Sequence, residues 1–556
     1  MRLKRIMTII LLGCIVLLGT CIIKFQKSFE RMKDNCVPLE QNLVWISSED
    51  EIWGSQVEEV SCNPGIYYED VLLPYDKEHN RLYLPQNYME SEWYGNLTAK
   101  IGEGHYPIYI LNDAMWQNKS AAIRESHDFT IFVQRDDDYY RFNLIITGMP
   151  MIAMTTQREE AAEEIPYEID PDKYVYGSET RYYGDFLMID SGTRSGQYQM
   201  IEAGVCYHYK GASTAGFEKK SYSLDLLDYR GEKADISLAG MRSDSSWKLN
   251  ALNTDINRIR EITAYQIWES MDNANPELNE AGPNMEYVEL VVDNEYKGLY
   301  CLVEPIDEKK AELDEKDILY KVIDWPITSA EDIQVSADNG WRIAYPLRIR
   351  YPKKLQDYQE VWYPMRDYLD MFFRDKNIQY EEAVGHIDID NYCDKMIFDM
   401  VTSASDNSYK NTYYVADCGD GYENYQMKQI PWDLDYTFGN RYSYGADYSV
   451  FFDENPTQIY AENAILKLYT YFPEKIGTRL VERWNMYRDS ILSTDAVINL
   501  LNDNMFYLAE TGAVLREEAR WPQAGVNLEI DYLIEFQKKR MDWLDGYFDS
   551  FQLSGQ

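Results

Sequence analysis

Two aspartates, Asp433 and Asp435, follow directly on the apolar run Ile430-Pro431-Trp432. A carboxylate at the end of a buried strand needs water, a cap or a cation to offset its desolvation. Any fold for this chain must bring one of these to that point. Capping a turn is the plain reading; two carboxylates leaving a buried strand together fit ligation of a cation better. The preceding segment reads as a hairpin, from Thr412 to Ala416, a turn over Asp417 to Gly421, and a return strand to Ile430. Before it, Asp390 can cap a helix carrying Tyr392, Met396 and Met400 and ending near Ala404.

Asp406 and Asn411 lie between that helix and the hairpin. Asp-x-x-x-x-Asn is the spacing of a phosphoryl-transfer loop, in which the aspartate accepts a hydroxyl proton and the asparagine holds a metal. Alone the spacing is a weak signal, and a helix-terminal turn residue is the plain reading of Asp406. Its place before a hairpin that ends in Asp-x-Asp gives it weight. Farther upstream, Lys219-Lys220-Ser221-Tyr222-Ser223-Leu224-Asp225-Leu226 alternates as a half-buried strand does. Counting back in twos from Leu226 puts Lys220 on the apolar face and Lys219 on the other; a snorkelling surface lysine is the ordinary alternative. Asp255 can cap a helix from about Ile256 to Met271, and a hairpin follows from Tyr287 to Glu304, turning at Asp293-Asn294-Glu295. Pro305 ends that strand, and a charged helix is expected from Glu308 to Asp314. Strand with lysine, helix, hairpin and connector is the element order of a protein-kinase small lobe. Glu304 in the connector either contacts a nucleotide or simply ends the strand.

The rest of the chain adds two modules. Residues 24–150 carry short alternating strands such as 81–84, 106–111, 129–134 and 140–146, with Arg135-Asp136-Asp137-Asp138 as a turn. They predict a small β-rich, sandwich-like domain, followed by a charged linker or surface helix over Arg158–Glu164. At the N-terminus, Arg2, Lys4 and Arg5 precede an uncharged run from Ile6 to Ile23. At about 1.5 Å per residue this run reaches roughly 27 Å, near the hydrocarbon thickness of a bilayer. It reads as an uncleaved transmembrane signal anchor with the bulk of the chain outside the cytoplasm. Lys24, Lys27, Arg31 and Lys33 on its far side leave the orientation open. Cys36 and Cys62 either pair or stay free, whereas Cys206, Cys301, Cys393 and Cys418 read as buried thiols. With 94 acidic against 54 basic residues the net charge is −40, which excludes nonspecific nucleic-acid binding but not a local phosphate pocket.

Three segments carry a family resemblance: Gly216-Phe217-Glu218-Lys219-Lys220-Ser221-Tyr222, Asn294-Glu295-Tyr296-Lys297-Gly298-Leu299-Tyr300, and Pro431-Trp432-Asp433-Leu434-Asp435-Tyr436-Thr437-Phe438-Gly439. They resemble the CotH family, the spore-coat-protein-H-like atypical protein kinases of bacteria and some fungi. The resemblance covers roughly residues 150 to 525 and includes the tail Arg516-Glu517-Glu518-Ala519-Arg520-Trp521. It implies an α+β, diverged protein-kinase-like fold of two lobes, small from about 180 to 305 and large from about 306 to 556. It further implies transfer of phosphate from ATP, with Mg²⁺ or Mn²⁺, to Ser or Thr of a partner protein. Lys220 (or Lys219) would then hold the ATP phosphates; Glu261 either pairs with Lys220, as in ordinary kinases, or is a solvated surface glutamate. Asp406 would be the base, and Asn411 and Asp433 would hold metal with support from Asp435. Where family members often carry Arg-Gly-Asn-Ser-Ser, this chain has Tyr209-Lys210-Gly211-Ala212-Ser213-Thr214, with Lys210 as the candidate replacement for the arginine. A catalytically silent surface or coat-assembly scaffold, or transfer of another nucleotide-derived group such as AMP, are the alternatives.

Overall fold

The computed structural model describes residues 43–553 except 53–54, 58–64, 69–70, 86–96, 102–103, 162–167, 170–173, 176–179, 191–198, 212–215, 276–281, 323–329, 336–339, 356, 375–376, 408–409, 420, 443–449 and 460–462. The expected anchor over 6–23 and the pair Cys36 and Cys62 lie outside the described residues. Among the described residues no helix is long and apolar enough to cross a membrane.

The N-terminal strands form two sheets around one core. Leu82, Ile110, Phe129, Ile131, Phe142 and Leu144 of the larger sheet pack against Ile66, Tyr68, Leu97 and Ala99 of the smaller one. The expected hairpin is present, with Arg135 opposite Asp138 and Asp136 in the left-handed region that a two-residue turn requires. Pro107, which has no N–H to offer a ladder, splits the expected strand 106–111 in two.

A closed seven-stranded barrel follows. Its strands are β1 (Met151–Ala161), β2 (Thr180–Asp190), β3 (Gln199–Lys210), β4 (Ser221–Leu227), β5 (Ser246–Asn250), β6 (Met285–Val292) and β7 (Glu295–Val303). They close in the order β1-β2-β3-β4-β5-β7-β6. Of the segment expected as a linker, Arg158 to Ala161 form the end of β1, their charged residues exposed along a long antiparallel ladder with β2, while Ala162 to Glu164 lie outside the described residues. Met154, Phe186, Val205, Tyr207, Leu224, Trp247, Val288 and Leu302 fill the interior. Alternation sends the intervening residues outward. Helix α1 (Arg260–Ala274) packs on the outside and starts later than expected. Asp255 still caps it, accepting from the Arg260 amide at 2.8 Å, but the same carboxylate also binds the Asn257 amide and the Arg260 guanidinium. Those bonds hold residues 256–259 as a turn.

The large lobe is built on a five-stranded sheet in the order β9-β10-β8-β11-β12. Its strands are β8 (Ile318–Val322), β9 (Ile343–Ala344), β10 (Leu347–Tyr351), β11 (Thr412–Asp417) and β12 (Gln426–Pro431). The charged segment from Glu308 to Asp314 forms successive turns rather than a helix. Helix α2 (Ile389–Thr402) is buried along nearly its whole length. Its cap is Asp388, while Asp390 pairs with Arg479, so the capping role lies two residues earlier than expected. Ser403 ends α2 in the left-handed conformation and releases the chain into the loop that carries Asp406. The stripe expected after Pro473 is present as helix α3 (Pro473–Arg488), with Ile476, Leu480, Trp484 and Tyr487 in the core.

Helix α4 (Ala513–Arg520) ties the tail motif to the barrel. Glu517 is fully buried; it accepts from Lys219 Nζ at 2.6 Å and from the Leu299 amide at 2.9 Å, with Arg258 Nη2 3.6 Å away. A Cβ on Gly298, whose φ is +95°, would sit 2.1 Å from Glu517 Oε2, so only glycine admits this carboxylate. On the same helix Arg516 pairs with buried Glu289 and reaches Ser126 of the N-terminal domain at 3.1 Å. Tyr83 of that domain stacks on Tyr296. Removing one partner of such a buried pair leaves an uncompensated charge and costs about 3–5 kcal/mol. Glu517→Ala is therefore expected to lower the unfolding free energy from denaturant titration by that order, whereas Glu518→Ala, one residue on, leaves it unchanged.

Candidate active site

The hairpin β11–β12 and the loop after α2 meet where the two-lobed architecture leaves a cleft. Asn407 is buried and organises the loop: its Nδ2 donates to the carbonyls of Asn411 (2.9 Å) and Trp432 (2.7 Å). The Trp432 amide in turn donates to the Asn411 carbonyl at 2.9 Å. Asn411 and Asp433 are thereby locked side by side, both with positive φ, at +54° and +60°. Left-handed backbone at non-glycine residues costs energy and persists where the surroundings enforce it, a pattern that clusters at functional sites. Asp406 accepts from Asn411 Nδ2 and from Lys410 Nζ, each at 2.9 Å. Burial raises its pKa above the ordinary carboxylate value.

Asp433 is exposed, and among the described residues no side chain donates to its carboxylate. Its amide donates to the Tyr265 hydroxyl of α1 at 3.0 Å, which couples the helix to this strand end. Asp435 accepts from Thr254 Oγ1 at 2.5 Å, and burial followed by the charges of Asp433 and Glu261 pushes its pKa well up. Glu261, buried on the first turn of α1, accepts from Asn250 Nδ2 with both oxygens, at 3.1 and 3.2 Å. Burial and then Asp433 lift it to about 7. Four carboxylates thus crowd one cleft, and the charge of Asp433 raises the proton affinity of the other three.

The opposing cation is Lys210, half-buried at the end of β3. Burial lowers its pKa, while Asp433, Glu261 and Asp435 act to raise it. Among the described residues no hydrogen bond or ion pair engages its ammonium, which lies 6.0 Å from the Trp432 ring centre. Lys248 on β5 also faces this side. It donates to Ser223 Oγ, and burial with the charges of Lys210, Arg350 and Lys321 brings it down to about 7.

The structure brings Asp406, Asn411, Asp433, Asp435 and Glu261 together. The lysine pair is placed differently. Counting in twos from Leu226 assumes that the apolar face lines the cleft, but Tyr222, Leu224 and Leu226 point into the closed barrel. Strand β4 begins only at Ser221. Lys219 is buried against Glu517 and the Leu299 carbonyl, with burial holding it down at about 8. Lys220 is half-buried in the turn, its carbonyl accepting from the Tyr300 hydroxyl at 3.0 Å. The cation acting on Glu261 is Lys210. Glu304 is fully buried and anchors the connector, accepting from the Arg242 amide, the Asn284 amide and Lys310 Nζ at 3.0, 3.2 and 2.9 Å. Lys248 and Asn250 escaped the sequence reading, although the alternation Ser246-Trp247-Lys248-Leu249-Asn250 marks a polar face between two core positions.

Over residues 207–544 the sequence matches the family described as CotH kinase protein. The chain belongs to the CotH kinase family. That match spans the barrel from β3 onward, the whole cleft and the tail helix that clips onto Gly298. A comparison with curated proteins gave no match. Family membership makes the chain kinase-like, and a CotH kinase implies ATP and a divalent metal. Among the described residues no group of three or more His, Cys, Asp or Glu is arranged to hold a metal by itself. The donor set nonetheless fits one: Asp433 offers an uncommitted carboxylate, Asp435 an oxygen, and Asn411 its amide oxygen, all hard ligands of the kind Mg²⁺ and Mn²⁺ take alongside phosphate oxygens.

The raised pKa of Glu261 has a measurable consequence. Unfolded, Glu261 ionises near the ordinary glutamate value; folded, it holds its proton up to about pH 7. Between these limits the folded state binds more protons, so its contribution to stability is present at low pH and is lost as pH rises through about 7. Glu261→Gln is expected to flatten that slope: from pH 5 to pH 8 the denaturant midpoint of the parent chain falls relative to the variant. Equal slopes would mean that Glu261 is already ionised in the folded cleft.

Proposed function

We propose that this chain is an active CotH kinase that transfers the γ-phosphoryl group of ATP, with Mg²⁺ or Mn²⁺, to a Ser or Thr hydroxyl of a protein. The observation that carries this reading is the enforced pairing of Asn411 and Asp433 beside Asp406. A scaffold has no need of two strained backbones held together by a buried asparagine, with an uncommitted carboxylate near a lysine whose ammonium makes no direct ion pair among the described residues. The divalent cation, when bound through Asp433 and Asn411, supplies charge neutralisation for the transferring phosphoryl group.

The chain's own residues then have separate tasks. Lys210, within reach of the charge of Glu261, neutralises phosphate oxygens, and this assignment replaces the expected Lys220. Asn250 positions Glu261. Asp406, oriented by Asn411 and Lys410, accepts the proton as the hydroxyl oxygen bonds to phosphorus and the bond to the ADP oxygen breaks. Its burial-raised pKa moves it in the direction a general base needs. The apolar run Ile6–Ile23 supports tethering of this kinase to a membrane, and the acceptor proposed is a Ser-rich coat or surface protein.

The test is transfer of labelled γ-phosphate to a serine-rich acceptor or to the chain itself, followed by intact mass. Asp433→Ala is expected to abolish the transfer and Asp406→Asn to slow it by about 10²–10⁴. Lys210→Met should raise the KM for ATP at least tenfold, while Lys220→Ala stays within about twofold. A product heavier by a nucleotide would assign AMP transfer to the same site, and no product with any acceptor in the presence of ATP and metal would favour the scaffold.

A further inference from the structure

On one side of the cleft, cations stand without carboxylates of their own among the described residues. Lys210 is opposed by Asp433, Glu261 and Asp435. Lys248 is not: the groups facing it are Lys210, Arg350 and Lys321, with Asp225 as the opposing carboxylate. That carboxylate is already engaged by Lys233 Nζ at 2.8 Å and Ser246 Oγ at 2.6 Å. Lys321 stands on β8 with its ammonium 5.3 Å from the ring centres of both Tyr413 and Trp432. Arg350 is exposed on β10, two residues beyond Arg348, which pairs directly with Lys321. Among the described residues no ion pair engages Lys248, Lys321 or Arg350. From Trp341 to Gln356 the sequence has five basic residues and no acidic one, in a chain of net charge −40.

Three cations from three strands of two lobes stand near one another here, and among the described residues none is ion-paired with a carboxylate. Holding like charges together is unfavourable unless an external anion completes the set. Two lysines and an arginine, the last able to bind two oxygens at once, match a phosphate monoester. The donor's own phosphates have a place beside Lys210 and the carboxylates that hold metal. We infer that Lys248, Lys321 and Arg350 form a second phosphate subsite, filled by a phosphate already present on the acceptor chain near the hydroxyl to be modified. The inference rests on the kinase reading and gives that kinase a substrate class: partly phosphorylated, Ser-rich segments, on which each transfer prepares the next.

The experiment is calorimetric titration of the full chain with a serine-rich peptide, unmodified or carrying one phosphoserine, and separately with Mg·ADP. The phosphopeptide is expected to bind at least tenfold more tightly than its unmodified twin. Arg350→Ala and Lys321→Met should each remove that preference while leaving the affinity for Mg·ADP within twofold; Arg350 is exposed, so its variant keeps the fold. Asp433→Ala, which disables the proposed metal site, should retain the preference, so the subsite is tested even if transfer itself is never seen. Equal binding of the two peptides would overturn the inference. So would a parallel loss of Mg·ADP affinity in the Arg350 and Lys321 variants, since that would assign these cations to the nucleotide.

Discussion

Asn407 organises the cleft. One buried amide ties the carbonyls of Asn411 and Trp432 and so fixes the register between the loop after α2 and the end of β12. Asp406, Asn411 and Asp433 are adjacent because of that tie, and their backbone strain is tolerable because the surrounding helix and sheet are fully packed. From the other lobe, α1 contributes Tyr265, whose hydroxyl accepts from the Asp433 amide, and Glu261, whose charge reaches Asp433 and Asp435. The small lobe is locked in turn by Glu517. Without that carboxylate, Lys219 and Arg258 would be buried cations beside the turn that leads into α1. Strain at the reacting centre and rigidity behind it are two sides of one arrangement.

Much of this was legible in the sequence because it depends on local pattern. The hairpin around Asp417, the helix before Asp406 and the strand end before Asp433 follow from alternation, a capping aspartate and an apolar run closed by proline. Both caps show the limit of such reading. Asp255 does bind the first amide of α1, but its other oxygen draws residues 256–259 into a turn; Asp390 is taken by Arg479 and leaves the cap to Asp388. Competition among several donors for one carboxylate is not visible in spacing.

The counting behind the lysine assignment meets a different limit. Period-two counting identifies which side chains share a face of β4, but not which face meets the ligand. In an open sheet over a cleft the apolar face would be the ligand side; in a closed barrel it is the interior, and the cleft lies against the outer face. Lys210, Lys248 and Asn250 are among the outer-face residues of β3 and β5. The tail motif shows the same limit at longer range. Glu517 and Lys219 are 298 residues apart in sequence, and the requirement for glycine at 298 follows only once the carboxylate is seen against it.

Electrostatics unify the picture. The charge of Asp433 raises the proton affinity of Glu261, Asp406 and Asp435, and Lys210 offsets part of that at Glu261. An arrangement of this kind stores an affinity for cations that the phosphates of a nucleotide can complete. Direct titration with Mn²⁺, with and without a non-hydrolysable ATP analogue, tests this claim. The account predicts weak binding of Mn²⁺ alone, at least tenfold tighter binding with the analogue present, and loss of that enhancement in Asp433→Ala. Mn²⁺ binding of equal strength with and without the nucleotide, or unchanged by Asp433→Ala, would contradict it.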